Sequence, residues 1–117
     1  MVIENALHQD CIDFLHDLNQ ICLECIDYSL NALDLNQRNR LIKLLYECNN
    51  YTLYTAQAYI NDSPYLKEIT SLCAKVIQDT KEECEKFSDA KTSLTAQVCE
   101  ETLVIINEFL ENDERDY

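Results

Sequence analysis

Apolar and small residues recur every three or four positions along most of the chain. Residues at this spacing lie on one face of an α-helix. The first segment has such a stripe, and its opposite face is polar, with Asp13, Gln20, Glu24 and Asp27. The pattern therefore predicts an amphipathic helix whose inner stripe reads His8, Cys11, Leu15, Leu18, Cys22 and Cys25.

Three breaks in the pattern separate four predicted helices. The stretch from Asp34 to Gln37 carries a candidate capping arrangement, with Asp34 as the N-cap and Gln37 three residues later. The stretch from Asn61 to Pro64 places turn-forming residues before a proline suited to a first helical position. Asp89, after Ser88, is a further candidate N-cap. The predicted helices run over residues 4–33, 36–61, 64–87 and 89–111.

Short connections between long helices favour antiparallel neighbours, so the predicted fold is all-α, an antiparallel up-down-up-down four-helix bundle. The composition agrees, because the chain has no glycine and a single proline, which disfavours hairpins and tight strand turns. We expect residues 1–117 to form one domain, with the polar tail over residues 112–117 frayed.

The net charge of −13 speaks against two classes of partner. The nine basic residues are scattered, so no basic stripe is available for nucleic acid, and an anionic membrane surface would repel the chain. The N-terminal residues do not resemble a signal peptide, and we expect a soluble, cytoplasmic protein. In that compartment, seven cysteines indicate reduced thiols or metal ligands rather than disulfides.

The other three helices have inner stripes of the same kind. Every threonine of the chain falls on these stripes beside the cysteines, which indicates a preference for small, polarisable or hydroxylated side chains inside the bundle. The stripes read Leu41, Leu45, Cys48, Thr52, Thr55, Tyr59; Leu66, Thr70, Cys73, Ile77, Thr80, Cys84, Phe87; and Thr92, Thr95, Cys99, Thr102, Ile106, Phe109.

The rise of about 1.5 Å per helical residue places the cysteines at different depths along the bundle. Counted from the turns at one end, five of them fall in the same half, and two fall in the other half. We call the first set the thiol cluster and the second the thiol pair, and we treat both as candidate metal ligands. The thiol cluster is Cys22, Cys25, Cys48, Cys84 and Cys99, and the thiol pair is Cys11 and Cys73.

Thiolates are soft donors that select Cu(I) over hard cations, so a converging set of thiols predicts a Cu(I) site. Zn(II) is an alternative, because Cys22, Cys25, Cys48 and Cys99 could supply a tetrahedral set. A third possibility is that no metal binds and the cysteines pack as small hydrophobes. His8 could be an auxiliary ligand, although a partly exposed histidine near a helix end is the favoured interpretation.

The sequence offers no support for an enzyme. It contains no Glu-x-x-His pair for a di-iron bundle, no glycine-rich phosphate loop and no visible nucleophile–base pair. Cys22 and Cys25 have the spacing of a redox pair, but a mid-helix position disfavours that function. Tyrosines along the second helix indicate either packing or a face for a homo-oligomer; they are Tyr46, Tyr51, Tyr54 and Tyr59.

Three stretches resemble motifs of the copper storage proteins, which are cysteine-rich four-helix bundles that hold Cu(I) along their central axis. That family has an acidic residue and Cys leading to Ser-Pro-Phe, then Leu-Cys-Ala-Glu-Val, then Glu-Cys-Glu-Lys-His. The alternating cysteine spacing of the first helix is similar as well. The matching stretches here are Glu47-Cys48 leading to Asn61-Asp62-Ser63-Pro64-Tyr65, then Leu72-Cys73-Ala74-Lys75-Val76, then Glu83-Cys84-Glu85-Lys86-Phe87.

The resemblance implies a non-enzymatic Cu(I)-storing bundle of reduced capacity, and the alternative is a structural or protein-interaction bundle. Phe87 stands where the resemblance leads us to expect a histidine near the bundle mouth. Other residues occupy ten positions where the family usually has further cysteines: Leu15, Leu18, Leu45, Thr52, Thr70, Ile77, Thr80, Thr92, Thr95 and Thr102.

Overall fold

Four helices account for most of the chain. The computed structural model describes the backbone of residues 2–112 and the side chains of residues 6–112. The helices are α1 (Val2–Leu30), α2 (Asn39–Ile60), α3 (Leu66–Cys84) and α4 (Ala90–Asn112), with a 3-10 turn at Leu35–Gln37 before α2. No strand occurs over residues 2–112, which confirms the all-α prediction.

Each helix packs against two others. Helix α1 lies against α2 and α4, and α3 lies against the same two helices. Consecutive helices are joined by short connections, so they run antiparallel and close a ring around one axis. The result is an elongated body of 49 × 20 × 18 Å, which confirms the antiparallel up-down-up-down four-helix bundle. Within residues 2–112, no helix combines the length and apolar character that crossing a bilayer demands.

The first connection differs from its prediction. Helix α1 ends at Leu30 rather than at 33, and α2 begins at Asn39 rather than at 36. The prediction that Asp34 caps a helix is wrong, because its side chain makes no cap hydrogen bond. Its Oδ1 instead accepts a hydrogen bond from Nε of Arg38 at 2.7 Å. An ion pair thus takes the place of the expected cap.

The other two connections are closer to expectation. Asp62 has a φ of 50°. Helix α3 spans Leu66–Cys84, so the prediction of a helix over 64–87 with Pro64 at its first position is wrong at both ends. The Ser63 hydroxyl accepts a hydrogen bond from the Tyr65 amide ahead of the helix. Asp89 caps α4 as predicted, since its Oδ2 accepts a hydrogen bond from the Thr92 amide at 2.9 Å. Helix α4 extends through residue 112, so the predicted fraying does not hold there, and residues 113–117 lie outside the described part.

The core contains both apolar and hydroxyl side chains. All seven threonines of the chain are fully buried. Thr80, Thr95 and Thr102 each donate to the carbonyl four residues earlier, which satisfies a buried hydroxyl within its own helix. Large aliphatic side chains fill much of the remaining interior, each stabilising the fold by about 1.5–3 kcal/mol. They are Leu15, Leu18, Leu41, Leu45, Leu66, Ile77 and Ile106.

Candidate metal centre

The seven cysteines all point into the bundle. Each is fully buried, and none is in a disulfide. The amphipathic spacing explains this, because every cysteine lies on the inner stripe of its helix. All four helices contribute, with Cys11, Cys22 and Cys25 on α1, Cys48 on α2, Cys73 and Cys84 on α3, and Cys99 on α4.

Three thiols of the cluster interact directly although they come from three different helices. The thiol of Cys48 on α2 accepts hydrogen bonding from Cys22 on α1 and Cys99 on α4, which holds the pKa of Cys48 well below its ordinary value. The same interaction raises the pKa of Cys22, and burial adds to the rise. Cys99 has a raised pKa for the same two reasons. The trio can therefore hold one thiolate, stabilised by two neighbouring thiol protons.

Cys25 and Cys84 complete the thiol cluster on the side of the α1–α2 and α3–α4 connections. Burial raises the pKa of Cys84, and negative charge on Cys25 or Cys48 would raise it further. Sγ of Cys25 lies 3.9 Å from Oγ1 of Thr92 on α4. The structure thus brings together the five thiols that the depth argument grouped.

The thiol pair occupies the other half of the bundle and has a different environment. Burial raises the pKa of Cys11 to about 11 and that of Cys73 to about 12. Tyr59 interacts with both thiols. The pKa of the Tyr59 phenol is raised, chiefly by burial and secondly by negative charge on Cys11. The Tyr59 hydroxyl accepts a hydrogen bond from the Thr70 hydroxyl at 3.2 Å. A phenol therefore occupies space that a denser site would give to thiols.

His8 belongs to an aromatic group at this same end. Its ring lies edge-on to Tyr59 at 5.5 Å and to Phe109 at 5.3 Å between ring centroids. The side chain is partly exposed, as expected, yet its Nε2 is buried and has no hydrogen-bond partner among the described residues.

The thiols are close, but they are not yet arranged around a metal. Among residues 6–112, no group of three or more His, Cys, Asp or Glu side chains converges in a geometry that could hold one ion. The buried sulfurs instead share hydrogen bonds with one another and with threonines. Metal binding therefore requires cysteine side chains to change rotamer.

The comparisons with known proteins fit this interior. The sequence model of the copper storage proteins matches residues 4–109, which is most of the chain. This chain belongs to the copper storage protein family. The membership confirms the resemblance: this bundle with seven buried thiols belongs to a family that is named for copper storage.

Individual relatives are more distant. An uncharacterized cysteine-rich protein of Bacillus subtilis strain 168, YhjQ, is 30% identical over 81 residues, which cover 69% of this chain and 71% of the relative. The Cu(I)-bound copper storage protein BsCsp3 has a TM-score of 0.83 at 24% identity, covering 87% of this chain and 96% of that one. A cytosolic copper storage protein from Streptomyces lividans, solved during copper loading with five coppers, has a TM-score of 0.92 at 18% identity, covering 97% and 99%.

One residue of this family member escaped the sequence analysis. Arg38 is 3% exposed and lies at the end of the bundle nearest the thiol cluster. Its guanidinium stands 4.5 Å from the ring of Phe87, the residue found where the resemblance predicted a histidine. The signal that could have found it is the i,i+4 spacing of Asp34 and Arg38, which favours an ion pair as readily as a helix cap.

Proposed function

We propose that this chain stores Cu(I) inside the bundle, held by the thiolates of the thiol cluster and, secondarily, of the thiol pair. The observation that carries the proposal is the direct interaction of Cys22, Cys48 and Cys99, fully buried and contributed by three helices. Family membership supports copper as the stored ion, and the Cu(I)-bound BsCsp3 structure supports its oxidation state.

The trio is the proposed starting point for loading. A Cu(I) ion that binds there meets a thiol, Cys48, whose proton is held least tightly among the three. Each further thiol that becomes a ligand releases its proton to solvent. The positive charge of the metal then offsets the negative charge of the thiolate, which burial otherwise disfavours. Cys25 and Cys84 would extend the bound set toward the connections, and the thiol pair would load last because it offers only two sulfurs to an ion.

The proposed capacity is a few ions. Leucines and threonines occupy much of the inner stripe, and hydroxyls are poor ligands for a soft monovalent ion. The proposed role is storage rather than catalysis, in agreement with the family description. We place the protein in the cytosol, which the description of the Streptomyces lividans protein supports, and we take residues 1–117 as one working domain.

Anaerobic titration of the reduced protein with Cu(I), in competition with a chromogenic Cu(I) chelator, tests the proposal. We expect several tightly held equivalents and a release of protons that accompanies them. A variant with Cys22, Cys48 and Cys99 changed to Ala retains small apolar side chains and serves as the control that lacks these three ligands and keeps the other four cysteines. Copper binding that is no tighter in the native chain than in this variant would refute the proposal.

A parallel titration with Zn(II) separates the two metals considered for the thiols. Zn(II) prefers four ligands in a tetrahedron, whereas Cu(I) accepts two or three. We expect Cu(I) to displace any bound Zn(II). A homo-oligomer through α2 stays a prediction, based on the exposed rings of Tyr46 and Tyr54, and sedimentation of the apo and copper-loaded protein tests it.

A further inference from the structure

Arg38 is an unusual residue to find buried at the end of a bundle. It lies just before α2, yet its guanidinium pairs with carboxylates from both connections at this end. Nε is 2.7 Å from Asp34, between α1 and α2, and Nη2 is 2.5 Å from Asp89, between α3 and α4. Burial by itself lowers the pKa of Arg38, but hydrogen bonding to the two carboxylates outweighs burial and raises it, so the cation persists.

Two aromatic rings hold the same guanidinium. Its central carbon is 5.4 Å from the ring centroid of Tyr28 on α1 and 4.5 Å from that of Phe87, after α3. Both separations are within the range of cation–π attraction. The side chain therefore contacts residues from α1 and from both connections, so it lies across the end of the bundle rather than along one helix.

A short hydrogen-bonded path links Arg38 to the thiols. Nη1 donates to Oγ1 of Thr92 at 3.0 Å, and that oxygen lies 3.9 Å from Sγ of Cys25. Cys84 is also near this end, since the charge of Asp89 contributes to its raised pKa. The guanidinium thus lies near the outer end of the thiol cluster, with the Thr92 hydroxyl between it and Cys25.

We propose that Arg38 is an ion-pair latch that closes this end of the bundle and limits the rate at which copper enters and leaves the thiol cluster. The inference rests on the proposed storage function. A guanidinium held by two carboxylates both fills the opening and repels an approaching Cu(I) ion. When the side chain swings out, the opening loses a positive charge, and Asp89 is left near Cys25 and Cys84 to attract the ion.

The opposite end has no comparable device among the described residues. There the rings of His8, Tyr59 and Phe109 pack edge to face, with centroid separations of 5.1–5.5 Å, and they cover the thiol pair. The thiol cluster, in contrast, lies behind a single charged side chain that can exchange its partners for water. The latch explains how fully buried thiols could exchange an ion without unfolding the bundle.

The variant Arg38→Ala removes the latch and leaves Asp89 to cap α4. Arg40→Ala is the matched control, because Arg40 lies two residues away, has a 70% exposed side chain and, among the described residues, pairs with Glu83. We expect Arg38→Ala to accelerate both Cu(I) loading and chelator-driven release by about tenfold or more, with the bound stoichiometry unchanged. Arg40→Ala should load and release at the native rates.

A copper-free readout separates the latch from the storage function. In the reduced apoprotein, peptide mapping after brief iodoacetamide treatment should show faster alkylation of Cys25 and Cys84 in Arg38→Ala, with Cys11 and Cys73 unaffected. If Arg38→Ala fails to fold by circular dichroism, Asp34→Asn weakens the same latch and should give a smaller acceleration. Native rates of alkylation and copper exchange in a folded latch variant would overturn the inference. Faster alkylation in Arg38→Ala, with no copper bound by either the native protein or the variant, would instead refute the storage function and leave the latch standing.

Discussion

The two halves of the bundle interior are equally shielded from solvent but chemically different. Every cysteine in either half is fully buried. The five sulfurs of the thiol cluster come from four helices and lie near enough to shift one another's pKa, whereas the thiol pair has two sulfurs beside the phenol of Tyr59. Burial alone therefore does not make a candidate metal site. The number of donor atoms that lie close together decides it, because a soft ion needs at least two thiolates to replace the ligands that it leaves in solution.

The protons on the sulfurs show the same difference. In the thiol pair, burial raises the pKa of each thiol and outweighs hydrogen bonding from Tyr59 to Cys11 and from Thr55 to Cys73, which lowers it. In the thiol cluster, sulfurs hydrogen-bond one another, and this lowers the pKa of Cys48 even though that residue is fully buried. A buried thiol becomes easier to ionise when its neighbours are thiols that can donate to the thiolate.

The largest expected effect comes from removing each set of thiols in turn. Changing Cys22, Cys48 and Cys99 to Ser should abolish most of the copper capacity, because the sulfurs that interact directly are gone. Changing Cys11 and Cys73 to Ser should remove a minority of the bound copper and leave the first equivalent at native affinity. Chelator competition measures both. Equal losses in the two variants would erase the distinction between the halves.

Alkaline pH should sharpen the comparison through stability. A thiol whose pKa is raised in the fold stabilises the protein fully below its unfolded value, near 9.0, and that contribution is lost as pH rises through the folded value. The window for Cys11 and Cys73 therefore extends from pH 9 to about 11 and 12. The free energy of unfolding of the apoprotein should fall across it, by up to about 3 kcal/mol for Cys11.

Urea unfolding at successive pH values measures this loss. In Cys11→Ala the fall should be smaller, because one of the thiols with a raised pKa is absent. An unchanged pH profile in that variant would show that Cys11 does not hold its proton as the fold requires.

Tyr59→Phe tests whether the phenol matters for the thiol pair. The change removes a hydroxyl that accepts a hydrogen bond from Thr70 and interacts with Cys11. It should destabilise the apoprotein by about 1 kcal/mol while leaving the copper stoichiometry unchanged. Thermal unfolding and copper titration measure the two effects. A large loss of bound copper would mean that the phenol helps to organise the site.

The smallest effect should come from Thr55→Val. Oγ1 of Thr55 is buried without a hydrogen-bond partner within the described part of the chain, yet the hydroxyl is near enough to Cys73 to lower the pKa of that thiol. Replacing it with a methyl group should leave stability within about 0.5 kcal/mol and weaken only the last copper bound. Thr80→Val is the contrast, because its hydroxyl donates to the Val76 carbonyl at 2.8 Å. A loss of stability in Thr55→Val equal to that in Thr80→Val would argue against this interpretation.

The sequence predicted the elements that depend on periodicity. Inner stripes drawn through the cysteines also contained every threonine, and all seven threonines are buried, since the inner stripe of a helix has one solution once its phase is known. Depth along the axis followed from the constant helical rise, and it separated the thiol cluster from the thiol pair. The capping role of Asp89 was also readable, because it depends only on neighbours in sequence.

Contacts between distant segments were not readable. Asp34 was expected to cap a helix, but its carboxylate forms an ion pair with Arg38 instead. Arg38 also pairs with Asp89, which lies far along the chain. Nothing local distinguishes these outcomes, since both satisfy the same charged group. The interaction of Tyr59 with Cys11 and Cys73 is likewise set by packing across three helices.

The most direct test of the central claim is to locate the first copper. Anomalous diffraction at the copper edge, from crystals of protein loaded with one equivalent of Cu(I), should show the ion among Cys22, Cys48 and Cys99. Density near the thiol pair should appear only at saturation. A first ion found between Cys11 and Cys73, or only on surface carboxylates, would contradict the account.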